Sequence, residues 1–261
     1  MSSIAIETAP SRIMPVHRLV GAYLAEARTE CVRYLRAPGF LLPVTLFPTL
    51  FYLLFGVVMA HGADADAARY LLASYGVFGV MSPGLFGFGV SLAVERENGL
   101  LTLKRALPMP PGAYLLGKMV MAMFAAGVVI VLLLALATGL AHVRLDATQA
   151  LSLLLTGVLG VLPFCALGML VGTLVKGQSA AGVVNIIYLP MSFLSGLWIP
   201  LAMLPTALQR IAPVWPSAHL QPLALAALGL GHGSPWPHVG VLLAYGVAFF
   251  LLAARRLRRV G

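Results

Sequence analysis

Gly112-Ala-Tyr-Leu-Leu-Gly117-Lys118 has the glycine and lysine spacing of a phosphate-binding loop, in which backbone amides cradle phosphates and the lysine reaches the terminal ones. Met119 stands where such a loop needs Ser or Thr to hold magnesium, and no strand pattern precedes it, so no nucleotide site is expected here. Gly117 and Lys118 read instead as the start of a membrane span, with Lys118 snorkelling toward the interface. Gly89-Val-Ser91 and Gly177-Gln-Ser179 look like serine-nucleophile triplets, but no His falls in a facing span to act as base, which leaves them as loop or packing serines. The histidines avoid mid-membrane positions, and there is no HExxH and no paired intramembrane Asp, so protease and haem-carrier chemistry are not expected. Cys31 and Cys165 fall in different compartments and cannot pair. None of the eight acidic residues lies well inside a span, whereas ion-coupled carriers keep ionisable residues there. No cofactor is expected on this chain, and a transport pathway without its own energy source points to a partner. The place to look is Val94 to Pro111, the one internal loop long enough to protrude, which opens Glu95-Arg96-Glu97-Asn98-Gly99-Leu100 and continues through Leu103 to Pro108 and Pro111.

The elements that must carry this loop are set by composition. The 261 residues are 60% hydrophobic and only 10% charged, with a mean hydropathy of +0.95, far more apolar than a water-soluble domain. Apolar runs of the length a bilayer core demands are expected at Phe40 to Ala60, Tyr70 to Val94, Ala113 to Leu140, Ala150 to Val175, Ala180 to Ile199 and Trp236 to Ala254. The first 39 residues hold no apolar stretch with a cleavage site, so no removable signal peptide is expected and the first run should stay as an anchor. With the N-terminus inside, fourteen of the 17 Lys and Arg fall on the cytoplasmic side and only Arg69, Arg144 and Arg210 outside, the asymmetry of the positive-inside rule. The expectation is an all-α integral membrane fold of six spans, both termini in the cytoplasm. Residues 1–39 form a tail and interface helix, and residues 40–261 a single transmembrane domain. The net charge of +9 is explained by these flanking clusters, and no nucleic-acid partner is expected.

Ahead of the first span, Leu19, Val20, Tyr23, Leu24, Ala27, Cys31, Tyr34 and Leu35 share one helical arc, and Arg18, Glu26, Arg28, Arg33 and Arg36 the other. An amphipathic helix at the cytoplasmic surface follows, acting as an anchor or also as a dock for a soluble partner. Gly76, Gly79, Gly84, Gly87 and Gly89 in the second span, and Gly168 and Gly172 in the fourth, have the small-residue spacing that lets helices approach closely in lipid. Between the fifth and sixth spans, about forty residues contain a single charge, Arg210, and are broken by Pro200, Pro205, Pro213, Pro216 and Pro222. Pieces too short to cross and too apolar for a solvated loop are expected to dip into the outer leaflet as re-entrant helices.

Glu95-Arg96-Glu97-Asn98-Gly99 with its leucines and Pro108-Met-Pro, Leu116-Gly117-Lys118, and Phe193-Leu-Ser-Gly196 followed by Ile199-Pro200, Leu204-Pro205 and Pro213-Val-Trp-Pro216 occur in order along nearly the whole chain. In this the sequence resembles the type-2 ABC exporter permeases, compact six-span subunits without an ATPase of their own. The resemblance implies a permease that dimerises and binds two copies of a separate cytoplasmic ATPase, which would hold the ATP and magnesium. It implies that the loop forms a coupling helix seated on the ATPase, with Glu95, Arg96, Glu97, Asn98, Gly99, Leu100 and Leu103 at the contact and Arg18, Tyr23, Arg28 and Arg33 on the helix beside it. It also implies re-entrant helices after span five, with Pro200, Leu204, Pro205, Arg210 and Pro213 at an outer gate. A charge-free lining suits a hydrophobic or amphipathic cargo such as a drug-like metabolite, a lipid or a lipid-linked glycan, and the setting would be the bacterial cytoplasmic membrane. Left open beside this are an ion-coupled carrier or channel and a membrane scaffold subunit.

Overall fold

The computed structural model describes residues 15–59, 65–106, 110–231 and 233–260; Pro108 and Met109 of the charged loop and the tail before Pro15 lie outside them. Among the described residues the regular structure is helical throughout. Helix α1 (Val16–Leu35) is followed by α2 (Pro38–Phe51), which continues as a π-helical segment, Tyr52–Met59. Helix α3 (Ala65–Ser82) runs through a second π segment, Pro83–Val90, into α4 (Ser91–Glu97), and α5 (Leu100–Ala106) folds back from it. Then come α6 (Pro111–Gly139), α7 (Ala147–Gly160), α8 (Leu162–Leu174), α9 (Gly177–Leu194), two 3₁₀ turns flanking α10 (Thr206–Ile211), α11 (Pro216–Ala227) and α12 (Trp236–Val260).

Among the described residues, five segments are long and apolar enough to cross a bilayer: Leu42–Met59, Asp66–Glu97, Gly112–Gly139, Ala147–Leu174 and Trp236–Leu257. The run expected as a fifth span, now α9, falls short on composition because Gln178, Asn185, Ser179, Ser192 and Pro190 dilute it. It nevertheless runs antiparallel to α3–α4 along their length. Gly177 at its start packs against Val94 and Glu97, Tyr188 donates to the Phe78 carbonyl at 3.0 Å, and the Gly196 carbonyl just past its end accepts from Tyr70 at 3.2 Å.

Glycine decides how closely the central helices meet. A Cβ on Gly89 would lie 2.8 Å from the Gly168 carbonyl oxygen, and one on Gly172 would lie 2.6 Å from that of Gly89. The π segment of α3 and helix α8 therefore touch backbone to backbone, as small residues permit in lipid. Around this contact Phe78, Met81, Leu85, Phe88, Ile130, Leu133 and Phe164 fill the core.

After α9 the chain forms the short helices expected there. Helix α11 spans 12 residues, about 18 Å, too short to cross. It buries Ser217, Leu220, Gln221 and Ala224, and the Gln221 amide nitrogen lies 3.0 Å from the Tyr70 hydroxyl, 3.0 Å from Ser74 Oγ and 3.1 Å from the Gly196 carbonyl. Leu204 is buried and Pro200 half-buried, while Pro205, Arg210 and Pro213 are exposed, and Arg210 forms no ion pair among the described residues.

Candidate coupling site

Helices α1 and α6 meet the hairpin of α4 and α5 at the end where α4 turns into α5. Helix α1 lies along α6, turning Glu30 and Tyr34 inward. Its apolar residues Leu19, Val20, Leu24 and Leu35 stay exposed, so the face packed on the protein takes only Tyr23, Ala27, Cys31 and Tyr34 from the apolar arc and adds Glu26 and Glu30 to them. The reason for burying the two acids is electrostatic. Lys118, in the third turn of α6, is 0% exposed, and its ammonium lies 3.0 Å from Glu95, 3.3 Å from Glu30 and 2.8 Å from Ser91 Oγ. An ammonium has three donors, and here each has an acceptor. Lys118 therefore does not snorkel; it is the buried centre of the site.

Around it the charges balance. Arg33 bridges Glu30 at 2.6 Å and also pairs with Glu95. Lys104 of α5 pairs with Glu26 and lies 3.5 Å from Glu30. The Tyr114 hydroxyl donates to Glu95, and its ring lies 4.4 Å from the Lys104 ammonium, within cation–π range. Glu26, Glu30 and Glu95 thus face Arg33, Lys104 and Lys118, three acids against three bases. Burial alone would lower the Arg33 guanidinium, but Glu95 and Glu30 beside it prevail and hold its proton affinity above the ordinary value. Taking such charges out of water is tolerable only when every one is paired, so the cluster ties α1, α4, α5 and α6 into one body.

The residues expected at the ATPase contact divide into two groups. Glu95 is buried among its partners, so its carboxylate points into the chain. Arg96 also turns inward and donates to the carbonyls of Thr173 and, at 2.7 Å, Val175, capping the end of α8, whose last carbonyls lack helical partners. Glu97, Asn98 and Gly99 are exposed at the tip, and Leu103 on α5 is 61% exposed, a large apolar side chain left without cover. Leu100 is half-buried. Gly99 has φ +72°, the left-handed conformation that ends α4 and lets α5 reverse, which glycine adopts without strain. On α1, Tyr23 and Arg33 approach the site while Arg18 and Arg28 are exposed.

Glu26, Glu30, Lys104, Tyr114 and Lys118 escaped the sequence reading as a set. The available signal was Lys118, a charge eight residues into an otherwise apolar helix, since a charge inside a span demands a partner.

Several bilayer-length helices, with an ion-paired hairpin braced at one end, define a multi-pass membrane protein. The chain belongs to the ABC-2 family transporter proteins, whose family model matches residues 58–255, and is an ABC-2 type permease subunit. It is 30% identical over 227 residues, covering 86% of this chain and 92% of the relative, to a Bacillus subtilis (strain 168) protein named putative transport permease YvfS. It is 29% identical over 179 residues to the inner membrane transport permease YhhJ of Escherichia coli (strain K12), covering 66% of this chain but 46% of that longer protein. Nodulation protein J of Rhizobium leguminosarum bv. viciae is 36% identical over 100 residues, 38% of this chain and 39% of its own.

Proposed function

We propose that this chain is the non-catalytic permease of an ATP-driven exporter or flippase, powered by two copies of a separate cytoplasmic ATPase that hold the ATP and magnesium. The observation that carries the reading is the buried ionic cluster: it braces a hairpin whose outermost residues, Glu97, Asn98, Gly99 and Leu103, are exposed, with the Glu97 carboxylate lying beside Gly177 at the start of α9. A brace of this kind serves a lever better than it serves a loop that merely meets headgroups. Glu97 and Leu103 make the contact with the ATPase, Glu95 and Arg96 position the hairpin, and Arg18 and Arg28 of α1 flank it. When ATP closes the ATPase pair, the hairpin, α1 and the start of α6 move together, and nucleotide biases one arrangement of the permease over another.

We put α1, the hairpin and the C-terminus inside, with α9 as the fifth of six spans. In support, α9 covers the same depth as Tyr70 to Val94, and an even number of spans keeps Arg255 and Arg256 on the side of Arg33 and Lys104. The membrane is the bacterial cytoplasmic membrane, in keeping with the name of the Escherichia coli relative. Two such subunits pair, most simply as a homodimer. The packed core of a single chain supports a route between subunits rather than through one. The outer helices, with Pro200, Leu204, Pro205, Arg210 and Pro213, form a re-entrant cap over that route, and an apolar path suits a hydrophobic or amphipathic cargo.

The test is purification of the tagged chain from its native membrane in mild detergent, followed by reconstitution. A co-purifying P-loop ATPase whose ATP hydrolysis drives solute movement is expected. A chain that moves solute without any ATPase would instead be a carrier or channel.

A further inference from the structure

A cavity of about 740 Å³ opens sideways between α7, α8, α11 and α12, a size typical of small-molecule sites. Its wall is apolar, with Leu155, Leu159, Met169, Leu243, Val247 and Leu251 among the lining residues and only Ser152 and Thr156 contributing hydroxyls. Along α12 it extends from Pro235 to Leu251, about 24 Å at 1.5 Å per residue, longer than one leaflet's half of a hydrocarbon core of about 30 Å. Two of its walls, Ala147–Leu174 and Trp236–Leu257, are segments long and apolar enough to span the bilayer, so the opening faces hydrocarbon rather than water.

The chemistry of its inner end identifies the occupant. Arg255 lies one helical turn beyond Leu251 on the same face of α12, with Arg256 beside it. Both arginines are exposed, and neither has an acidic partner among the described residues. We propose that the groove holds an acyl chain of an anionic phospholipid from the bilayer, with its headgroup on Arg255 and Arg256. Guanidinium groups pair well with phosphate, and an acyl chain fills a wall that offers almost no hydrogen bonds. The site is separate from the coupling hairpin and requires neither the ATPase nor a cargo.

Gly246 lines the groove, and the nearest atom to a Cβ built there is Pro163 Cα at 3.9 Å, so the backbone accepts a side chain at this position and Gly246→Leu places one in the groove. Gly240, on the same helix and outside the groove, has no heavy atom within 4 Å of such a Cβ and supplies the control Gly240→Leu. Delipidated protein in mild detergent, titrated with phosphatidylglycerol or phosphatidylcholine and weighed intact by native mass spectrometry, tests the proposal. One tightly held phosphatidylglycerol per chain is expected, retained in Gly240→Leu and lost in Gly246→Leu. Affinity should fall roughly fivefold for each of Arg255→Gln and Arg256→Gln, with phosphatidylcholine binding unchanged. Phosphatidylglycerol held equally by Gly246→Leu and wild type would overturn the proposal. A Gly246→Leu variant that loses a wild-type dimer mass instead of a lipid would overturn it too, because a second copy would then be the occupant.

Discussion

Lys118 stands between Glu30 and Glu95 with no exposure to solvent, so replacing it removes the one fully buried cation they share and leaves them to Arg33 and Lys104, which keep part of their surface in solvent. Removing one partner of a buried pair costs about 3–5 kcal/mol. Lys118→Met should accordingly lower the detergent melting temperature sharply, and adding Glu95→Gln to it should restore part of the loss. Additive damage from the two changes would mean that the residues do not act on each other. Exposed Glu97 behaves in the opposite way: Glu97→Ala should leave melting unchanged while weakening retention of the ATPase. The sequence led to Glu95 and Glu97 as equals, because spacing and charge are the same for both. Their difference depends on which face of α4 meets α6, and a single sequence does not carry that information.

At the scale of elements, the two π segments and the glycine contact between α3 and α8 set how the core packs. Gly168 has the Gly84 carbonyl and Gly89 against the position of a Cβ, so Gly168→Leu forces these backbones apart. Overpacking costs typically 1–3 kcal/mol and can exceed that where backbone must move, and the variant should express poorly as folded protein, measured by size-exclusion chromatography. Gly99→Ala is a milder change: with φ +72° and open space around it, it strains only the α4–α5 turn, by roughly 1–2 kcal/mol, and should impair coupling more than folding. The helical runs of α2, α3, α6, α7–α8 and α12 were legible from hydropathy, and the packing glycines from spacing. The inward face of α1 was legible only in part: Tyr23, Ala27, Cys31 and Tyr34 belong to the apolar arc, whereas Glu30 looks like a solvent residue until Lys118 is placed beside it. Helix α9 was legible as well, expected as an apolar run at Ala180 to Ile199, though its polar residues leave it less apolar than the other five segments.

For the whole molecule, the proposed orientation puts the hairpin and the short helices after α9 on opposite sides of the membrane. Met203 is 76% exposed and Leu103 61%, so Met203→Cys and Leu103→Cys offer probes of each side. The native thiols should react slowly: Cys165 is buried, and burial followed by the charge of Glu30 pushes the half-buried Cys31 thiol up. A membrane-impermeant maleimide added to intact cells should label Met203→Cys and leave Leu103→Cys unlabelled until the membrane is permeabilised. Labelling of both before permeabilisation would contradict the orientation.

Under the proposed function, a separate ATPase engages this permease at the exposed hairpin tip. A photo-crosslinking amino acid placed at position 103 in cells, with position 24 of α1 as an exposed apolar control, tests it most directly. A crosslink from position 103 to a soluble protein carrying a phosphate-binding loop is expected, lost when Glu97→Ala is added. No such adduct at position 103, with the tip crosslinking only to lipid, would contradict it.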